Sequence, residues 1–287
     1  MDLKTYLEKK KIDYKTVDSL RISKGTKIDN VVFLENLNKL KTLEIEAVEI
    51  DFENIKFPKS LESLKLKSLS ITDTKFLEKT DIEILEIRSC HEMTKVYLPK
   101  TLKRLTISHL RKINYEIESF PEGIENIEIA YSKIKTIPSI PNSVKVIRVF
   151  ITYGLILQKM DLSSCTKLTN LRLTYTNVKE LILPDKQHNV VLSNLAGLKY
   201  LKIPDPIINL VIRNSDIQKL DFSETSKLNF DEEWEFRDTP WYDSIPGVNT
   251  VGFKLKNYIF IKKNLKPESA ERGSASIMDT GLFDFKN

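Results

Sequence analysis

Four segments of the chain share one ten-residue pattern: FPKSLESLKL from Phe57, LPKTLKRLTI from Leu98, FPEGIENIEI from Phe120 and IPNSVKVIRV from Ile140. Each runs apolar, Pro, two linker residues, then L-x-x-L-x-L with Leu, Ile or Val at the apolar places. That rhythm continues beyond the four. Its first apolar position falls at Val17, Leu40, Leu61, Ile82, Leu102, Ile124, Val144 and Leu168, and less regularly at His188, Ile207, Leu228 and Val248. The steps are 19 to 24 residues. A period of this size marks a solenoid, in which one coil cannot bury its apolar residues alone and stacked coils bury them against each other.

The pattern predicts local structure as well as period. Side chains alternate faces along a strand. In LESLKL, Leu64 and Leu66 therefore point inward, with Leu61 entering the core at the preceding bend, while Ser63 and Lys65 point out. The proline stands three residues ahead of the first core residue in all four copies: Pro58, Pro99, Pro121 and Pro141. Proline fixes φ and lacks an N–H, which suits the corner where a strand begins and not the ladder itself. The return segments are about ten residues long and β-prone, as in VEIDF, LSITD, KIKTIP and VKELILP. Short strands and 3₁₀ turns fit them better than helices. The second half doubles this way, with Leu168-Leu171-Leu173 followed by Val178-Leu181-Leu183, and Ile207-Leu210-Ile212 by Ile217-Leu220-Phe222. At the N-terminus, Leu3, Tyr6, Leu7 and Ile12 lie on one helical face, so residues 2–11 are expected to cap the first coil.

The period and the L-x-x-L-x-L core are most legible in LTNLRLTYTNVKELIL and IINLVIRNSDIQKLDF. They resemble the leucine-rich repeat family, in its irregular short-repeat type (BspA-like or Ile-Pro-containing repeats). The resemblance implies an α/β repeat solenoid: a right-handed horseshoe with a concave parallel β-sheet, a mostly non-helical convex side and a short N-terminal helical cap. It divides the chain into a cap at 1–16, a solenoid of about 12 coils at 17–257, and a cap strand, polar linker and tail at 258–287. The sequence departs from the family in one respect. The Asn or Cys that ladders hydrogen bonds after each strand is mostly missing, and only Asn177 and Asn214 sit near the place. The turns must then find other partners, because buried amides need them.

Composition excludes several function classes. The two cysteines, Cys90 and Cys165, cannot build a disulfide framework. No G-x-S-x-G, Walker A, H-E-x-x-H or C-x-x-C occurs, and the three histidines, His91, His109 and His188, fall in different coils. The expectation is no enzyme, no cofactor and no metal. The net charge of +5 is interleaved with acids and is not gathered on one stripe, so nucleic acid is not expected as a partner. The longest apolar run, VFITYGLIL, is too short to span a bilayer, which leaves out the membrane. With no apolar leader and no Asn-x-Ser/Thr site, a cytoplasmic location is expected.

What remains is surface. Two outward columns follow from the register: Arg21, Glu44, Lys65, Glu86, Thr106, Glu128, Arg148, Arg172, and beside it Ser23, Glu46, Lys67, Arg88, Ser108, Ala130, Phe150, Thr174. Signs alternate over residues 44–88, a pattern that neutralises itself. Beyond, Glu128, Tyr131, Arg148, Phe150, Arg172 and Tyr175 bring Arg and aromatic side chains together, the types enriched at binding hot spots. They are the candidate partner-binding residues, the alternative for Phe150 being that it folds over a strand end. Trp234 and Trp241 sit in an acidic stretch that reads as a docking loop or, more simply, as a plug on the last coil. The tail carries Ile277, Leu282, Phe283 and Phe285 as a linear motif or an arm that packs back. These features point to a non-enzymatic protein–protein interaction scaffold whose partner is another protein. The family resemblance further implies a regulatory or targeting subunit of a type 1 Ser/Thr protein phosphatase, with Lys227-Leu228-Asn229-Phe230 approaching a basic-apolar-x-aromatic docking motif. The alternative is a cell-surface or secreted adhesion protein of the BspA-like type.

Overall fold

The computed structural model describes residues 2–24, 30–48, 50, 52, 55–152, 156–185, 187–204, 207–221 and 235–245. The chain opens with helix α1, Leu3–Lys9, shorter than the expected cap. Asp2 caps it, its carboxylate accepting from the Thr5 backbone N–H and hydroxyl, each at 2.9 Å. Leu3 and Leu7, one turn apart, are fully buried against the first coil.

Seventeen strands follow among the described residues: β1 Ser19–Ser23, β2 Thr42–Glu46, β3 Ser63–Lys67, β4 Ile84–Arg88, β5 Lys95–Val96, β6 Arg104–Ser108, β7 Glu116–Ile117, β8 Asn126–Ser132 and β9 Val146–Thr152. Then come β10 Ile156–Asp161, β11 Asn170–Thr174, β12 Asn177–Ile182, β13 Gln187–Ser193, β14 Tyr200–Lys202, β15 Ile207–Arg213, β16 Lys219–Asp221 and β17 Glu235–Arg237. Eleven of them form one sheet, in the order β1-β2-β3-β4-β6-β8-β9-β11-β13-β15-β17, and the pairings are parallel. The other side of the solenoid carries three two-stranded ribbons, β5–β7, β10–β12 and β14–β16, and 3₁₀ turns at Val32–Asn36 and Lys75–Leu77. Apart from those turns, helix among the described residues is confined to α1 and to α2, Pro240–Asp243. The fold is thus a parallel β-solenoid with little helix.

The repeated phrase is a corner. The N–H groups of Leu61, Leu102, Ile124 and Val144 donate to the carbonyls of Pro58, Pro99, Pro121 and Pro141 at 3.0–3.2 Å, closing a turn onto the first core residue. Leu37 and Cys165 make the same turn for Leu40 and Leu168, at 2.9 Å. Inside the turn a hydroxyl reaches back to the preceding coil. Ser60, Thr101 and Ser143 donate to the carbonyls of Leu40, Ile82 and Ile124 at 2.8, 2.9 and 2.6 Å. From the corner the chain enters a strand whose alternate residues, such as Leu64 and Leu66 or Leu85 and Ile87, are fully buried.

The far end of most main-sheet strands, though not of β1 or β9, turns through a left-handed residue. Ala47, Ser68, Ser89, His109, Tyr131, Tyr175, Asn194, Asn214 and Asp238 all have positive φ, between 46° and 62°. Their amides are satisfied by the next coil: Ala47 N–H donates to the Lys67 carbonyl at 3.0 Å, Ser68 to Arg88 at 2.8 Å, and Asn194 to Arg213 at 2.9 Å. The residue after each of these points inward. Neither Asn177 nor Asn214 fills that inward place: Asn177 begins β12 and Asn214 is itself the left-handed residue. Cys90, Ser132, Thr152, Thr176 and Ser215 occupy it instead, all buried. The Ser215 hydroxyl, for example, donates to the Arg213 carbonyl at 2.9 Å and accepts from the Leu195 N–H at 3.3 Å.

Two coil positions differ from the spacing. In β13 the pairing Leu171↔Val190 and Leu173↔Leu192 places the coil start at Gln187, one residue before His188. A slip of one residue exchanges the faces of every side chain in a strand, so Val191 faces outward. In the last described coil the strand paired with β15 is Glu235–Arg237, with Phe236 inward against Ile212, whereas a start at Leu228 puts residue 233 in that place, three residues earlier. Val248 lies outside the described residues.

Candidate functional site on the outer face of the main sheet

The outward columns stand in register across the sheet. Arg21, Glu44, Lys65, Glu86, Thr106, Glu128, Arg148 and Arg172 are consecutive Cα partners, and the column continues through Val191 and Val211. Its N-terminal part is neutralised. The Arg21 guanidinium bonds the Glu46 carboxylate and lies 3.2 Å from Glu44. Lys67 is 3.4 Å from Glu44, and Lys65 is 3.8 Å from Glu86. The hydrogen bond between Arg21 and Glu46 holds the Glu46 carboxyl below the ordinary range and the guanidinium above it. A second row of pairs, Lys41–Glu62, Lys103–Glu83 and Lys145–Glu125, runs along the corner edge at 2.5–3.0 Å. Such exposed pairs set register more than stability.

From β8 onward the chemistry changes. Arg148 keeps one partner, Glu128, at 3.6 Å. Arg172 has no ion pair among the described residues, and its guanidinium lies 5.3 Å from the centre of the half-buried Phe150 ring. Phe150 therefore stays on the sheet face, sandwiched in register between Ala130 and Thr174. Val191 and Val211 extend this surface with half-buried apolar groups. Beside them a ladder of amides crosses three strands, Asn189 donating to Asn170 at 2.8 Å and Asn209 donating to Asn189. At the strand ends, Tyr175 is 56% exposed. Tyr131 stacks on His109 with centroids 5.1 Å apart, and the Arg111 guanidinium lies 5.2 Å from the Tyr131 ring centre.

The structure thus brings Glu128, Arg148, Phe150 and Arg172 onto three adjacent strands, with Tyr131 and Tyr175 on the turn ridge that borders them. Trp241 sits on α2, half-buried, with its ring 5.1 Å from the Phe236 ring and its backbone N–H donating to the Ile217 carbonyl at 2.8 Å. Trp234, Lys227, Leu228, Phe230 and the tail lie outside the described residues. Val191 and the amide ladder were not among the expected residues. The signal for both was the 19-residue step from Asn170 to Asn189, hidden by the start at His188.

Burial pushes the Cys90 thiol up to about 11 and raises Cys165 as well, so neither is a poised nucleophile. On the other side of the solenoid a groove of about 1290 Å³ is lined by Phe52, Phe57 and Phe76 with Lys56 and Lys75 at its rim. Among the described residues no cluster of three or more His, Cys, Asp or Glu could hold a metal ion, and no helix is long and apolar enough to cross a membrane. No family model matches the chain, and a search of curated proteins found no match.

Proposed function

We propose that the protein is a non-catalytic interaction scaffold that binds another protein across β8–β13 of its main sheet. One observation carries this: the outer face passes from a self-neutralised charge lattice to a surface where Arg172 has no ion pair among the described residues and lies against Phe150, next to Val191 and the exposed Tyr175. Arg and aromatic side chains in a partly apolar setting are what interface hot spots are made of. An acidic, partly apolar segment fits such a surface by charge. Capture from cell extract tests it. The double variant Arg148→Glu/Arg172→Glu is expected to lose partners that the wild type retains. Identical partner sets would show that this face is not the docking surface.

Finer readings rest on resemblance. A right-handed horseshoe of leucine-rich repeat type would make this face concave. Regulation or targeting of a type 1 Ser/Thr phosphatase rests on family analogy and on Lys227, Leu228 and Phe230. Its test is direct binding of the purified catalytic subunit, which Phe230→Ala should abolish. A cytoplasmic site of action leans on the two free, buried thiols.

A further inference from the structure

From β9 onward the outer column of the main sheet holds Arg148, Arg172, Val191 and Val211 on consecutive strands. Arg172 is exposed, has no ion pair among the described residues, and lies 5.3 Å from the Phe150 ring centre. Phe150, Val191 and Val211 are each half-buried. Adjacent strands lie about 4.8 Å apart, so the guanidinium and the two valines share a strip about 10 Å long. An occupant that fits this strip brings a carboxylate to the guanidinium and apolar side chains to the valines and the ring.

The chain itself carries such a segment. Past Ile245 its residues divide by composition. Residues 246–261 are largely apolar, and their charges are the basic Lys254 and Lys256. Residues 262–276, KKNLKPESAERGSAS, are polar with bases in excess. Residues 277–285, IMDTGLFDF, are the part that joins large apolar side chains to acids without a base: Asp279 and Asp284 stand among Leu282, Phe283 and Phe285. Reach is sufficient. The strand order β11-β13-β15-β17 puts Arg172 three spacings from the last described strand, or about 14 Å along the solenoid. Residue 277 lies 32 positions beyond Ile245, and a random coil of that length averages about 30 Å end to end.

From this match we infer that residues 277–285 seat on the β9–β15 outer face of their own chain and compete there with the protein partner. The inference rests on this face being a docking surface, and adds an occupant that the chain supplies. Asp279 or Asp284 brings the carboxylate to Arg172, and the flanking leucine and phenylalanines cover Val191 and Val211. At a tethered effective concentration of about 1 mM, a contact with a Kd of about 0.1 mM is closed about ten to one. A partner then binds about ten-fold more weakly than it binds a chain whose tail cannot seat.

The test uses the full chain with labelled valine and isoleucine methyls and a nitroxide attached at Asn287→Cys. Cys90 and Cys165 are buried and burial raises both thiols, so the introduced thiol is the one that reacts. A several-fold loss of the Val191 and Val211 methyl intensities is expected, recovered when the nitroxide is reduced. Arg172→Glu should abolish the loss, and so, independently, should Phe283→Ala/Phe285→Ala, which leaves every described coil unchanged in sequence. Unaffected valine methyls would overturn the seat. Loss at Ile71 instead would overturn it too, by placing the tail in the groove lined by Phe52, Phe57 and Phe76. Loss that persists when spin-labelled, isotope-free chains are mixed with methyl-labelled chains lacking the nitroxide would assign the contact to a second copy and overturn the intramolecular seat. Partner capture is read separately, and Phe283→Ala/Phe285→Ala should strengthen it about ten-fold. Equal capture by wild type and this tail variant, while Arg148→Glu/Arg172→Glu loses partners, would overturn the competition and keep the docking surface. Partner sets unchanged by Arg148→Glu/Arg172→Glu, with the valine signals still lost, would remove the docking surface and the competition and keep the seat.

Discussion

Gly123 is the one gap in a row of hydroxyls. In the four proline corners the second residue after proline is Ser60, Thr101, Gly123 and Ser143. The three hydroxyls each donate to the first core carbonyl of the preceding coil, at 2.6–2.9 Å. By the same register, residue 123 stands over the Leu102 carbonyl. A Cβ added at Gly123 meets nothing within 4 Å, and its φ is not in the left-handed range. Gly123→Ser should therefore do two things. Replacing glycine where the backbone is already permissive stabilises by about 0.4–1 kcal/mol, through the unfolded chain. A new side chain-to-backbone hydrogen bond adds about 0.5–1.5 kcal/mol, at the low end because the site is exposed. The sum is about 1–2 kcal/mol. Urea unfolding followed by circular dichroism reads it as a midpoint shift of roughly 0.5 M for a slope of a few kcal/mol/M. Gly123→Ala isolates the backbone share, and Ser143→Ala should lose about what the hydroxyl gains. Equal midpoints for Ser and Ala at 123 would refute the rung between coils. A lowered midpoint for both would refute the corner geometry itself.

Gly197 is the opposite case: with φ +93° and a would-be Cβ 3.0 Å from Asn177 Oδ1, Gly197→Ala should cost about 1–3 kcal/mol in the same assay. Tyr115 is fully buried with its hydroxyl 3.1 Å from Ser132 Oγ, and burial raises its pKa. A phenol whose folded pKa exceeds its unfolded value near 10 contributes stability that is complete below about pH 10 and lost as pH rises further. Tyr115→Phe should cost about 1 kcal/mol at neutral pH and flatten the alkaline fall above pH 10, while Cys90, moved from 9.0 to about 11, keeps its own loss beginning near pH 9. A fall that is equally steep in the Phe variant would clear Tyr115 of that role. Tyr175→Asn should raise the thermal midpoint by a few degrees, because Asn tolerates positive φ better than Tyr, yet lower partner capture. An increase in stability with capture intact would remove Tyr175 from the docking face.

Much of this was written in the period of the sequence. Both outward columns from Arg21 to Arg172 and from Ser23 to Thr174 are observed in the expected register, because each strand is anchored by unambiguous residues such as Leu64 and Leu66. The register failed where that anchor failed. Val190-Val191-Leu192 is apolar at three successive positions, so both faces look like core and the pattern does not choose between Gln187 and His188 as the coil start. The corner hydroxyls were in plain view at Ser60, Thr101 and Ser143 but carry no periodic signal of their own. Their meaning comes from a carbonyl about 20 residues away that only the stacking reveals. The missing asparagine ladder had a similar answer. The turns close through backbone groups of the next coil, which no side-chain pattern encodes.

The left-handed ridge separates what shape requires from what it does not. A Cβ in that conformation costs roughly 1–2 kcal/mol, less for Asn and Asp. Toward the C-terminal end the ridge is built from Asn194, Asn214 and Asp238, and toward the N-terminal end from the small Ala47, Ser68 and Ser89. Only the middle coils place large rings there: His109, Tyr131 and Tyr175. The stacking of His109 on Tyr131 offsets part of the strain at two of these positions. Tyr175 is more than half exposed and has less packing to offset it. Strain held where the turn has cheaper solutions points to a use outside the turn. Tyr175 borders the strand where Arg172 has no ion pair among the described residues. The strain at Tyr175 and the charge of Arg172 thus fall in one coil, and neither is demanded by the solenoid.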